Sequence, residues 1–168
     1  MNMGLEGKVA LVLASSSGLG KAIATELASE GANVVISSTN EEKLKVAKGD
    51  IKESTGKEPL HFVCDVTKSG DIEKLVSFVV QKYGTIHILV NNAGGPPPGR
   101  FEDFPDDVWQ RAFELTLLSF VRTTRLVLPY MKKMRWGRIL NSTSSSVREA
   151  IDNLILSNTF RLGVVGMT

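Results

Sequence analysis

The segment best suited to a chemical role is the run Ala-Ser-Ser-Ser-Gly-Leu-Gly at residues 14–20, which leads from a short apolar stretch into a helical pattern. Small residues let a backbone approach a pyrophosphate, and the first turn of a helix offers free N–H groups and a partial positive charge. Serine hydroxyls can donate to phosphate oxygens. A tight strand-to-helix connection has the same composition, so this pattern alone is weak evidence. The predicted phosphate-binding residues are Ser15, Ser17, Gly18, Leu19 and Gly20.

Further polar or glycine-containing segments follow three later apolar stretches. Asp65 and Val66 come after the third, Asn-Asn-Ala-Gly at 91–94 comes after the fourth, and a serine run at 142–146 comes after the fifth. Open α/β sheets bind ligands at the carboxyl ends of their strands, and all these segments would lie there. Their order and spacing therefore predict one small-molecule site rather than several unrelated turns.

The elements that would position these segments alternate along the chain. Continuous apolar strands that alternate with amphipathic helices indicate βαβ units and a parallel sheet covered on both faces. We expect an α/β fold of the doubly wound, Rossmann type, with residues 1–168 forming a single domain. The predicted strands cover 8–13, 33–37, 60–64, 86–90 and 137–141, and the predicted helices cover 18–30, 41–54, 71–83, 105–135 and 154–168.

Composition excludes several classes of protein. A net charge of +2 over 168 residues gives no basis for a nucleic-acid or membrane partner. The N-terminal residues lack a signal-peptide pattern, and no apolar run is long enough to span a membrane, so we expect a cytoplasmic protein. The single cysteine, Cys64, lies in an apolar run and is predicted to be an unreactive buried thiol. His61 and His87 are isolated from other ligand types, which predicts no metal site.

Taken together, these motifs resemble the short-chain dehydrogenase/reductase family over the whole chain, including its 3-oxoacyl carrier-protein reductase-like members. The family's cofactor turn is usually TGxxxGxG; here Leu13 and Ala14 replace its first two residues, while Gly18 and Gly20 match. The Asn-Asn-Ala-Gly signature is intact at 91–94. The resemblance implies that Asp65 and Val66 meet the adenine. It also implies that the cofactor runs along Asn92, Ala93 and Gly94.

The end of the second strand should select between the two nicotinamide cofactors. An acidic residue there would bind a ribose diol and repel a 2′-phosphate. This chain has Ser38, Thr39 and Asn40 instead, and the first carboxylate is Glu41. The basic residue expected of a strong NADP site is also missing. We expect NADP(H), with NAD(H) as the alternative, and assign Ser38, Thr39 and Asn40 to this part of the site.

The resemblance also implies a proton-relay set of Asn, Ser, Tyr and Lys, most of which is altered here. Ser144 matches the serine, with Ser145 and Ser146 as neighbours that could substitute for it. Thr116 occupies the Asn position. Ser157 stands at the Tyr position and Arg161 at the Lys position. Arg161 could still hold a ribose or a phosphate, or polarise a carbonyl, and Ser144 and Ser157 could orient a substrate oxygen with water as the proton source.

Two functions therefore remain open. The first is an oxidoreductase that transfers hydride between a nicotinamide and a ketone or alcohol, including 3-oxoacyl compounds. The second is a nucleotide-binding or assembly module that has lost hydride chemistry. The chain's two tyrosines, Tyr83 and Tyr130, fall late in predicted helices and replace nothing in the relay.

Family members continue beyond the length of this chain with further strands and a substrate loop. We therefore expect little activity from the 168-residue chain alone. The resemblance implies a homodimer or homotetramer in which the long fourth helix pairs across an axis. Leu117, Leu118, Phe120 and Val121 would supply the apolar surface for that pairing.

Overall fold

Five parallel strands form one sheet in the order β3-β2-β1-β4-β5. The computed structural model describes residues 3–168. Chain order reverses beside β1, which pairs with β2 on one side and with β4 on the other, so a crevice opens at the carboxyl ends of β1 and β4. The predicted α/β class is confirmed. The strands are β1 (Val9–Val12), β2 (Asn33–Ser38), β3 (Leu60–Val63), β4 (Ile88–Asn91) and β5 (Arg138–Asn141).

Six α-helices cover the two faces of this sheet within the described residues. Side chains of β1 alternate between the faces: Leu11 packs into a cluster with α3 and α5, while Val12 packs into a cluster with α1 and α2. Both side chains are fully buried, which is why β1 is apolar throughout rather than alternating. The helices are α1 (Gly18–Ser29), α2 (Glu41–Thr55), α3 (Ser69–Tyr83), α4 (Asp106–Phe113), α5 (Ser119–Met134) and α6 (Ile155–Gly166).

The predicted continuous helix over 105–135 is wrong in its middle. A π-helical segment, Glu114–Leu118, separates α4 from α5 and adds a residue to the turn. Hydroxyl side chains compete with the regular ladder here: Thr116 donates to the carbonyl of Ala112 at 2.6 Å, and Ser119 donates to that of Leu115 at 2.6 Å. The extra residue changes which side chains face the sheet.

One consequence concerns the apolar surface expected for oligomer formation. Phe120 is fully buried and packs with Ala93 and Val164, so it belongs to the interior and not to that surface. Leu117 and Leu118 are only partly buried, as is Val121. The exposed apolar residues nearby are Leu162 and Val165 on α6, which are 54% and 44% exposed.

Candidate cofactor cleft and adjoining hydroxyl cluster

A cleft of about 450 Å³ opens at the carboxyl ends of the strands. It is bounded by the turn after β1, the ends of β2 and β3, the loop after β4 and one residue of the π segment. Asp65 is the one charged side chain among the described residues that line it. The lining residues are Ala14, Ser16, Ser17, Leu19, Gly20, Ser38, Thr39, Cys64, Asp65, Val66, Asn92, Ala93, Gly94 and Leu115.

The turn after β1 is tight because Gly20 has no side chain. A Cβ atom at Gly20 would lie 2.4 Å from the carbonyl oxygen of Ala14 and 2.9 Å from the Cα of Ser15. Ser17 is the N-cap of α1, yet its side chain makes no capping hydrogen bond. Its hydroxyl and the first N–H groups of α1 therefore remain available to an anion in the cleft.

Asn92 fastens the loop after β4 to this turn. Its Nδ2 donates to the carbonyl oxygens of Leu13, at 3.3 Å, and Ala14, at 3.1 Å. The backbone N–H of Leu13 also donates to Val90, at 3.1 Å. The amide thereby holds the two sides of the cleft at a fixed separation.

Some of the predicted cofactor residues lie outside the cleft lining. Ser15 is fully buried; its hydroxyl donates to the carbonyl of Val12 at 2.7 Å and accepts from the N–H of Ser37 at 3.0 Å. It joins β1 to β2, and its neighbour Ser16 faces the cleft instead. Asn40 caps α2 by accepting from the N–H of Lys43 at 2.9 Å.

Gly18 also lies outside the lining. Its role is conformational, because it begins α1 with a φ of 54°. Ser38, at the end of β2, and Thr39, which follows it, both line the cleft. Neither Ser16 nor Leu115 carries a sequence signal, because Ser16 has the same residue type as its neighbours and the π segment places Leu115.

Asp65 remains an ionised acceptor at the edge of the cleft. Burial raises the pKa of its carboxyl, but hydrogen bonds from Thr67 and the charge of Lys68 outweigh that effect, and the pKa is lowered overall. One oxygen, Oδ1, accepts from the N–H and hydroxyl of Thr67, at 3.0 and 2.7 Å. The carboxylate can therefore still accept a hydrogen bond from a ligand.

Cys64 lines the same cleft, and we expect its thiol to be unreactive. Burial, reinforced by the charges of Asp71 and Asp65, raises the pKa of its thiol to about 12. At pH 8 the thiolate fraction is therefore on the order of one in ten thousand. We expect iodoacetamide to leave the folded protein unmodified over an hour while it alkylates the urea-unfolded chain fully, as read by mass spectrometry. Rapid labelling of the folded form would contradict this assignment.

Ala14 adopts a left-handed conformation, with a φ of 45°. For a residue with a Cβ this costs about 1–2 kcal/mol, while glycine costs about 0.5–1 kcal/mol in chain entropy. We therefore expect Ala14→Gly to stabilise the fold by about 0.5–1 kcal/mol, or about 2 °C in Tm. Thermal unfolding followed by circular dichroism measures this change. Ala14→Val, which worsens the strain, should shift Tm downward; a lower Tm for Ala14→Gly would refute the strain.

Ser144 is the predicted catalytic serine, but the serine that contacts Ser157 is Ser146. Ser144 caps the short 3₁₀ turn Ser145–Val147, and its Oγ accepts from the N–H of Ser146 at 3.2 Å. Ser146 instead places its Oγ 3.4 Å from the Oγ of Ser157. Both hydroxyls are more than nine-tenths buried. The 3₁₀ turn rotates Ser146 toward α6, which spacing alone did not reveal.

Arg161 does not line the cleft. It is only 7% exposed, and its Nη1 donates to the carbonyl oxygens of Ser142, at 3.1 Å, and Thr143, at 3.4 Å. Burial lowers the pKa of its guanidinium. It therefore lies against the loop that follows β5, one helical turn from Ser157.

The remaining relay position is occupied by Thr116. Thr116 is fully buried, and its hydroxyl is bonded to the helix backbone. Tyr83 and Tyr130 are partly buried against the cluster between the sheet and α3 and α5, and burial raises the pKa of Tyr83.

Nδ1 of His87 accepts from the N–H of Val9 at 2.9 Å. Within residues 3–168, no group of His, Cys, Asp and Glu side chains is arranged to hold a metal ion.

The sequence model of the short chain dehydrogenase family matches residues 8–168, and the chain belongs to that family. It is 36% identical over 165 residues to D-beta-hydroxybutyrate dehydrogenase of Cupriavidus necator, covering 98% of this chain and 63% of that protein. It is 34% identical over 175 residues to 7alpha-hydroxysteroid dehydrogenase of Escherichia coli, covering 96% and 68%. The predicted family is confirmed.

Solved structures agree with this assignment. L-sorbose reductase of Gluconobacter frateurii, complexed with NADPH and L-sorbose, superposes with a TM-score of 0.95 at 31% identity, covering 99% of this chain and 64% of that one. Actinorhodin polyketide ketoreductase with NADPH gives 0.92 at 35% identity, covering 96% and 62%. The chain thus spans somewhat under two thirds of these proteins.

In the described part of the chain, no helix has the length and apolar character needed to cross a membrane.

Proposed function

We propose that this chain binds NADP(H) and belongs to an oxidoreductase that interconverts a ketone and an alcohol. The observation that carries the proposal is the cleft itself, in which the turn after β1 and the loop after β4 are clamped together by Asn92. The absent side chain of Gly20 lets α1 begin against that turn. Such a cradle fits a dinucleotide, which would supply the hydride when bound.

Each part of the lining suits one part of the dinucleotide. Ser16, Ser17 and the N-terminus of α1 would hold the phosphates, since they offer hydroxyl and N–H donors at the positive end of a helix. Asp65 and Val66 would contact the adenine. Asn92, Ala93 and Gly94 would lie along the nicotinamide half of the cofactor.

The preference for NADP(H) rests on Ser38 and Thr39. Their hydroxyls stand where a carboxylate would select a free ribose diol, and they can donate to a 2′-phosphate. The related structures include complexes with NADPH and one with NADH, so the family itself does not decide the matter.

Proton delivery would differ from the family pattern. An aliphatic hydroxyl cannot replace a phenol with a pKa near 10 as a proton donor, and a guanidinium does not release its proton in proteins. Ser144 and Ser157 would orient the substrate through its oxygen atoms, and water would supply the proton. We propose that the substrate is a small ketone or alcohol, with 3-oxoacyl compounds included.

A second candidate is a nucleotide-binding or assembly module without hydride chemistry. It is favoured by the positions of Tyr83 and Tyr130, both packed away from the cleft. Titration with NADPH and with NADH, followed by nicotinamide fluorescence, tests the shared cofactor site. If neither NADPH nor NADH binds, both the oxidoreductase and the nucleotide-binding module are contradicted. Binding of NADPH without its oxidation, tested with a panel of ketones, would favour the module.

We also propose that the protein is a homodimer or homotetramer. Leu162 and Val165 expose apolar surface on α6, beside the partly buried Leu117 of the π segment. Sedimentation velocity tests this proposal. A single monomer peak at micromolar concentration, unchanged by NADPH, would contradict it.

A further inference from the structure

Arg161 is a buried cation without a counter-ion. The residue is only 7% exposed, and no carboxylate in residues 3–168 forms an ion pair with it. A buried charge without a partner is costly, and departures of this kind are expected at functional sites. Two backbone carbonyls hold the group in place, but they carry no net charge.

The guanidinium also has unused hydrogen-bond donors. It carries five N–H groups, and Nη1 uses its two for the carbonyls of Ser142 and Thr143. The N–H groups on Nη2 and Nε donate to no atom of residues 3–168. They are not sealed from solvent either: the one sealed, unpaired side-chain nitrogen or oxygen in that range is Oδ1 of Asn91. Each of these groups therefore keeps some contact with solvent.

Two buried hydroxyls lie on the same side of α6. Ser157 precedes Arg161 by four residues, so both project from one face of the helix. The Oγ atoms of Ser157 and Ser146 are 3.4 Å apart, and either can be the donor. Only one proton can lie between them, so the other hydroxyl can donate elsewhere. This cluster of Arg161, Ser157 and Ser146 is rich in donors and contains no acidic group.

We propose that the cluster binds an oxoanion, namely a carboxylate carried by the substrate. This inference rests on the proposed function and deepens it: the ketone or alcohol would be a carbonyl acid or the matching hydroxy acid. A cofactor phosphate has the same chemistry, but the phosphates have their own donors at the N-terminus of α1, and Arg161 lies outside that lining. A planar guanidinium holds a carboxylate through paired hydrogen bonds.

The test compares two probes that differ in charge and hardly in shape, 3-hydroxybutanoate and 3-hydroxybutanamide. Calorimetric titration of the NADPH-saturated protein should give a Kd at least about 10-fold lower for the carboxylate, the range expected of a charge-assisted pair. Arg161→Met should abolish that preference, Arg161→Lys should retain part of it, and Ser157→Ala should weaken carboxylate binding about 3-fold. Arg161→Met should leave NADPH affinity within about 3-fold of the parent.

Several results would overturn the inference. Equal affinity for the two probes, or a carboxylate preference that survives Arg161→Met, would remove Arg161 from recognition. A loss of NADPH affinity of about 10-fold or more in Arg161→Met would assign the cluster to a cofactor phosphate instead. If Arg161→Met fails to fold by circular dichroism, the cation is structural, unless Arg161→Lys keeps the preference. If the protein prefers the carboxylate probe but binds neither NADPH nor NADH, the carboxylate site stands and the proposed function is refuted.

Discussion

Gly20→Ala should abolish nicotinamide nucleotide binding, with a loss of affinity of more than about 100-fold, or about 2.7 kcal/mol. The new methyl group would lie 2.4 Å from the carbonyl oxygen of Ala14 and 2.8 Å from Nδ2 of Asn92. Both neighbours are anchored, because the amide of Asn92 is bonded to that carbonyl at 3.1 Å. The start of α1 must therefore move away from the turn, and the phosphate donors move with it. Overpacking of this kind also lowers stability by about 1–3 kcal/mol.

Gly49→Ala is the matched control for this substitution. Gly49 lies within α2, and a Cβ there would meet no atom within 4 Å. Alanine in an exposed helix interior should raise stability by about 1 kcal/mol and leave nucleotide affinity unchanged. Fluorescence titration gives the affinities, and urea unfolding gives the stabilities. An unchanged NADPH Kd in Gly20→Ala would contradict the role given to the turn.

Ser38→Asp should reverse the cofactor preference. The new carboxylate would stand at the end of β2, within the lining that Ser38 already forms. Two unit charges about 4–5 Å apart near a surface repel by roughly 3–4 kcal/mol. NADPH affinity should therefore fall by about 30-fold or more, while NADH affinity should hold or rise because the carboxylate can accept from a ribose diol. Parallel titrations with the two reduced nucleotides measure the ratio.

Asn40→Asp adds the same charge two residues further along. Asn40 lies outside the cleft lining, and its side-chain oxygen caps α2, a role that aspartate also fills. We expect its NADPH affinity to change by less than about 3-fold, since an exposed charge is screened by salt. If both variants lost NADPH affinity equally, long-range charge would explain the effect. If neither did, Ser38 would not face the 2′-phosphate.

The strands, most helix limits and the residues around the cleft were predictable because they follow from short-range patterns. Leu11 and Val12 are apolar in succession because both faces of β1 are covered, and that pattern is visible in the sequence. Gly20 and Asn92 belong to motifs whose residue types are fixed by close backbone contact. For these residues the sequence pattern alone was sufficient to predict the local structure.

The other features of the site could not be predicted, because they depend on local rotations of the backbone that residue types do not indicate. The π segment turns Phe120 into the interior and Leu115 toward the cleft. The 3₁₀ turn after β5 pairs Ser146, rather than Ser144, with Ser157. Ser15 could not be separated from Ser16 by composition, because one hydroxyl bonds β1 to β2 and its neighbour does not. Each difference is a shift of one or two residues along the chain, and periodicity arguments are least accurate at that scale.

The Asn92 amide couples the turn after β1 to the loop after β4, so we expect these two segments to open together. Because its Nδ2 bonds the carbonyls of Leu13 and Ala14, neither the turn after β1 nor the loop after β4 can separate without breaking the same contacts. Slow fluctuations there should thus be concerted. In native-state hydrogen exchange, amides of 14–20 and of 92–94 should share one opening free energy, and a bound nucleotide should slow both sets by the same factor.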